Sequence, residues 1–123
     1  MDNYFNDRLI ERRDVSALTP AATVTATFGT NAASQIKNYT LILDQNTVLN
    51  VGGEIYNNQA IVIKITGNFT LSIIQATYTF QGSNMTSGVF TGYDGSKVNY
   101  LVIYCFDATN KIFFCNLITN SNA

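Results

Sequence analysis

Apolar and polar residues alternate along most of this chain with a period of two, the spacing that sends successive side chains to opposite faces of a strand. In residues 22–28, Val24, Ala26 and Phe28 alternate with Thr23, Thr25 and Thr27, which predicts a half-buried strand with a hydroxyl outer face. Residues 38–43 and 68–73 are two similar phrases, Asn-Tyr-Thr-Leu-Ile-Leu and Asn-Phe-Thr-Leu-Ser-Ile. Between them Ile61, Ile63 and Ile65 share one face. Asp44-Gln45-Asn46 forms a turn after the first phrase, and Gly67-Asn68 reads as a two-residue hairpin turn before the second. Asp94-Gly95 is a third turn of hairpin type.

Residues 99–106 break the alternation. Tyr100, Val102, Tyr104 and Phe106 occupy one face and Leu101, Ile103 and Cys105 the other, so the strand reads as buried on both faces, centrally or against another subunit. Residues 112–118, with Phe113, Phe114 and Leu117, are similarly rich and read as its partner strand. The pattern predicts an all-β domain over residues 21–123, an antiparallel β-sandwich or jelly-roll-like fold of about eight strands. Tyr100, Val102, Tyr104, Phe106 and Phe114 are the expected oligomer interface.

Residues 1–20 differ from this body and read as an N-terminal arm, extended or with a short helical turn after Asn3 or Asn6. The arm holds all three arginines of the chain, Arg8, Arg12 and Arg13. A frayed tail and a docking arm both fit such a terminus. Tyr4, Phe5, Arg8, Leu9, Arg12 and Arg13 combine aromatic residues with arginine, the mixture that anchors interfaces, and are the candidate docking residues.

Charge sharpens the picture. Only 12% of the 123 residues are charged, about half the roughly 25% of an average soluble protein. Thr, Asn, Ser and Gly fill the deficit, as in a protein partly covered by copies of itself or by partners. Outside the arm the cations are only Lys37, Lys64, Lys97 and Lys111, too scattered for phosphate neutralisation, so no nucleic-acid partner is expected. No apolar run approaches the ~20 residues of a membrane span, and no membrane partner is expected. The first residues lack the basic and apolar regions of a signal peptide.

Catalytic chemistry finds little footing. The chain has no histidine, which removes the commonest general base and the Ser-His and Cys-His dyads. Asp44, Asp94 and Asp107 fall in turns, where aspartate binds backbone amides. Cys105 and Cys115 sit on successive strands, facing or diagonal; a disulfide fits if the register makes them neighbours, and two buried thiols are the favoured reading. No catalytic residue, cofactor or metal site is expected. Three Asn-X-Thr triplets, at Asn38, Asn68 and Asn84, are accounted for by an Asn- and Thr-rich chain. Tyr56 and Tyr93, in or beside loops, are the candidate ligand contacts of an alternative carbohydrate- or receptor-binding module of a tail fibre.

Tyr39-Thr40-Leu41, Asn46-Thr47, Gly67-Asn68-Phe69-Thr70-Leu71, Gly92-Tyr93, Asn99-Tyr100-Leu101 and Phe113-Phe114 together carry a rhythm. It resembles the small β-domains of tailed-bacteriophage virion proteins: head fibres, capsid decoration proteins and tail-fibre modules. The likeness spans about two-thirds of the chain, without the Trp-Pro motif of many tail-fibre modules. The resemblance implies a non-enzymatic virion component assembled in the host cytoplasm. It further implies a homo-oligomer, favouring a trimer, whose N-terminal segment fixes it to a capsid or tail protein of the same particle.

Overall fold

The computed structural model of the chain describes residues 15–29, 36–74, 78–82 and 84–120. These form nine strands and their connections, with no helix among the described residues. The strands are β1 (Val15–Ala17), β2 (Thr23–Thr27), β3 (Ile36–Ile42), β4 (Thr47–Gly52), β5 (Ala60–Thr66), β6 (Leu71–Ile73), β7 (Thr79–Gly82), β8 (Val98–Asp107) and β9 (Ile112–Asn120). The protein is all-β, built from two sheets. One has six strands in the order β1-β3-β5-β8-β9-β7; the other has three in the order β2-β4-β6.

From β1 to β6 the chain alternates between the sheets, and each strand pairs in parallel with the strand two places on. It therefore winds as a coil, each turn laying one strand in each sheet. The register sets Val15 beside Asn38, Asn38 beside Val62 and Thr47 beside Leu71. The repeat is about 24 residues, within the range that marks stacked structural units. Opposed residues of a parallel pair point the same way, so period-two alternation piles like on like. Val24, Leu49 and Ile73 stack in the three-stranded sheet, while Tyr39, Ile63, Leu101 and Leu117 line up across the other. All are buried in one core shared by the sheets, each contributing about 1.5–3 kcal/mol if fully transferred from water. At one end the buried ring of Phe113 lies 5.7, 5.0 and 5.3 Å from those of Phe28, Tyr78 and Phe80.

Parallel winding overturns the antiparallel reading for the first six strands. Among the named strands, antiparallel pairing is confined to β5 with β8 and β8 with β9, the second being the pairing expected from sequence. The physical reason is that a period-two pattern describes a strand whichever way its neighbour runs. Gly67-Asn68 closes no hairpin, because β5 and β6 lie in different sheets; Gly67, at φ +114°, turns the corner between them. That corner rests on the corner of the previous coil. The Leu43 amide donates to Thr66 O at 2.7 Å, the Thr70 amide to Asn46 Oδ1 at 3.1 Å, and the Thr47 amide to Thr70 O at 2.9 Å. Asp94-Gly95 is also no hairpin: the Lys97 amide closes a local turn on Asp94 O at 3.1 Å, just before β8. The preceding loop covers the edge of β6, where the Ile73 amide donates to Gly88 O at 2.8 Å and the Phe90 amide to Leu71 O at 2.9 Å.

Residues 15–17, assigned from sequence to the arm, are instead the edge strand β1, and the Leu18 amide continues the ladder onto Thr40 O at 2.8 Å. Residues 1–14 of the arm, with the short helical turn expected there, lie outside the described residues.

The Gly67 corner yields a stability test. A Cβ built on Gly67 would lie 2.5 Å from Leu43 O and 2.8 Å from Leu43 Cβ, in a backbone conformation that side chains disfavour. Gly67→Ala is expected to cost about 2–4 kcal/mol, read as a lower urea midpoint with an unchanged slope. An unchanged midpoint would contradict the corner geometry.

Candidate functional site

Parity along β8 divides its side chains between two surfaces. Asn99, Leu101, Ile103 and Cys105 point into the core, and Val98, Tyr100, Val102, Tyr104 and Phe106 lie on the outer side. The register then assembles the neighbours. Tyr104 lies between Ala60 and Phe114, Val102 between Val62 and Asn116, and Tyr100 between Lys64 and Ile118. Phe106 sits at an irregularity between Cys105 and Asp107, its ring 5.1 Å from that of Phe114. The five residues expected at an oligomer interface thus share one face of the six-stranded sheet.

β8 is central, between β5 and β9. Within the single chain its inner face is buried, while on the outer side Tyr100, Val102 and Tyr104 are half-buried and Phe106 is 53% exposed. Sequence reasoning missed much of the surface. Val15, Ile36, Ile42 and Ile118 are exposed apolar residues whose register places them in the same rows. The signal was parity: Ile42 falls out of step with Tyr39, Leu41 and Leu43, so it cannot share their core. Lys64 carries the only charge in these rows among the described residues, apart from Asp107 at the end of β8. Beside Lys64 the surface dips into a half-open hollow of about 320 Å³, lined by Thr40, Ile42, Lys64, Thr66 and Val98.

The two candidate ligand tyrosines do not meet. Tyr56 precedes β5, where its hydroxyl donates to Glu54 Oε2 at 2.9 Å, and this bond raises its pKa. Tyr93 packs against the core near the far end of β5, its hydroxyl donating to Gly67 O at 2.7 Å. The length of β5 separates them, about 20 Å at strand rise. Tyr104 is anchored too, through a hydrogen bond to Asn58 Oδ1. The turn aspartates are likewise engaged. Asp94 accepts from the Ser96 hydroxyl at 2.6 Å and amide at 3.0 Å, and Asp107 from Asn110 Nδ2 at 2.8 Å. These bonds, from Ser96 and Asn110, hold both carboxyls below their usual range. The docking residues Tyr4, Phe5, Arg8, Leu9, Arg12 and Arg13 lie outside the described residues.

Cys105 and Cys115 are free and buried. Cys115 opposes Ile103 and Cys105 opposes Phe113, so the thiols are diagonal rather than directly paired. Burial pushes the Cys115 thiol up to about 12 and raises that of Cys105, with Asp107 adding to the second. Comparison with family models, curated proteins and solved structures returns no match to this chain.

Two measurements check these environments. A thiol reagent at pH 8 is expected to leave both cysteines unmodified in the native protein and to modify both in denaturant; rapid native labelling would contradict their burial. Above the range in which the carboxyls titrate, stability is expected to stay level up to about pH 8.5 and to fall as pH rises towards 12. The unfolded chain releases its cysteine proton near 8.5 and its tyrosine proton near 10. The folded chain holds the Cys115 and Tyr93 protons to about 12, both mainly by burial. Cys115 alone gives a slope of up to about 1.4 kcal/mol per pH unit. Urea midpoints that remain level through pH 11 would rule this out.

Proposed function

We propose that this chain is a non-enzymatic structural subunit of a tailed-bacteriophage virion, a head fibre or capsid decoration protein. It self-associates through the outer face of its six-stranded sheet and attaches to a capsid or tail protein through residues 1–14. The observation that carries this reading is the outer face itself: a broad surface in which aromatic and branched apolar residues stand among the uncharged Asn38, Thr40, Thr66 and Asn116, with Lys64 as its central charge. Interface cores are depleted of charge and enriched in aromatic residues, and large contiguous apolar patches mark places where proteins meet. The 12% charge of the whole chain points the same way. Two sheets on a shared core make a sandwich-like body, wound from coils, that offers surfaces more than clefts. The arm supplies Arg8, Arg12 and Arg13 beside Tyr4 and Phe5 as anchors.

Size exclusion with light scattering at micromolar concentration is expected to give a mass above one chain. Val102→Asp, at the centre of the face, is expected to return a monomer with an unchanged circular-dichroism spectrum. A wild-type monomer would overturn self-association. Removing residues 1–14 is expected to abolish co-sedimentation with purified virions of the encoding phage, and full retention would remove the arm from the proposal.

A further inference from the structure

The outer face carries an aromatic pair and a hollow. The pair is Phe106 and Phe114, its rings 5.1 Å apart and both side chains exposed. The hollow, about 320 Å³, lies beside Lys64 and is bounded by Val98 at the other end of β8. Along the strand the two are about 26 Å apart, at roughly 3.3 Å per residue. For any two points on a flat face, a two-fold axis lying in the plane midway between them exchanges the points. Two copies related in this way set each aromatic pair over the other's hollow and bring the Val62–Val102 centre against its own counterpart.

Resting on the self-association reading above, we propose that the partner is a second copy bound face to face about such an axis. Phe106 and Phe114 of each copy enter the hollow beside Lys64 of the other. Size agrees, since a closed apolar cavity of about 150 Å³ accepts one benzene ring and the hollow is about twice that. Charge agrees as well: the lone ammonium of Lys64 meets an aromatic ring, a favourable partner once water is excluded. Area completes the case. Val15, Ile36, Ile42, Phe106, Phe114 and Ile118 are 40–66% exposed. At about 200 Å² per large side chain they supply about 600 Å² before the half-buried centre is added, near the ~800 Å² per partner of a standard interface. Such an interface is isologous, with each contact made twice.

The test places cysteines at both ends of the proposed contact, as Phe106→Cys with Thr66→Cys in one chain, followed by mild oxidation and non-reducing electrophoresis. The two-fold arrangement is expected to give a covalent dimer and nothing larger. A ladder of trimers and higher species would show a head-to-tail ring, overturning the two-fold while leaving self-association standing. A dimer by light scattering that does not cross-link would overturn the contact but not self-association. A wild-type mass of one chain would sink both. Thr66→Trp, which fills the hollow, and Phe106→Ser, which removes one exposed ring of the pair, are each expected to raise the dimer dissociation constant at least about tenfold. Unchanged dimerisation in the Phe106→Ser variant with its circular-dichroism spectrum intact would also overturn the proposal.

Discussion

Each coil of this chain buries its apolar residues against the opposite sheet and beside the equivalent residues of the next coil, so the core exists only while successive coils stay in step. Parallel hydrogen bonds hold the strands about 4.8 Å apart, and the corners hold the phase. The Leu43 amide on Thr66 and the Asn46 side chain on the Thr70 amide lock one corner to the next. A slip of one residue would turn Tyr39 and Leu41 outward and bring Thr40 and Ile42 into the core. The same constraint accounts for glycine at position 67, where one corner lies directly on Leu43 of the coil before it. Local and distant requirements therefore meet at the same few backbone groups.

Much of this was legible, and the limit has a physical cause. Strand positions and inward parity were visible because period two is a property of one strand alone. Partnership was not, because Ile63 presents the same side chain to a parallel neighbour as to an antiparallel one. The similar phrases at 38–43 and 68–73 are not equivalent in the fold: the first is mostly β3 in one sheet and the second contains β6 in the other. The counterpart of Tyr39 is Ile63. The apolar outer side of β8 was legible because both parities were apolar there. Ile36 and Ile42 joined the surface only once β3 was known to lie in the same sheet. Tyr93 looked available in sequence, but its hydroxyl is held by a carbonyl that only the folded chain brings near. Asn99 is a similar case. Fully buried in an apolar strand, it binds Asp94 O at 2.8 Å and Thr119 Oγ1 at 2.9 Å, tying the turn before β8 to β9.

The two faces of the six-stranded sheet show how one repeat serves two purposes. On the inner face, isoleucine and leucine fill a closed core in which every buried side-chain polar atom of the described residues has a partner. On the outer face Tyr100, Tyr104, Phe106 and Phe114 stand with branched apolar residues among Asn38, Thr40, Lys64, Thr66 and Asn116, and they remain partly open. Both sets come from the same strands by parity alone. A change that improves one face need not disturb the other, provided that the backbone ladder between them is kept.

The coil also sets the dimensions of the body. Parallel propagation ends where β8 runs against β5, and the loop on β6 closes the other sheet at the same level. Between those stops, the distance along the stacking axis grows in steps of one strand spacing, about 4.8 Å for each turn of about 24 residues. The fold therefore behaves as a ruler. Duplicating one complete turn between matched corners lengthens the body by a single increment and leaves its terminating hairpin, and the outward parity of every strand, as they are.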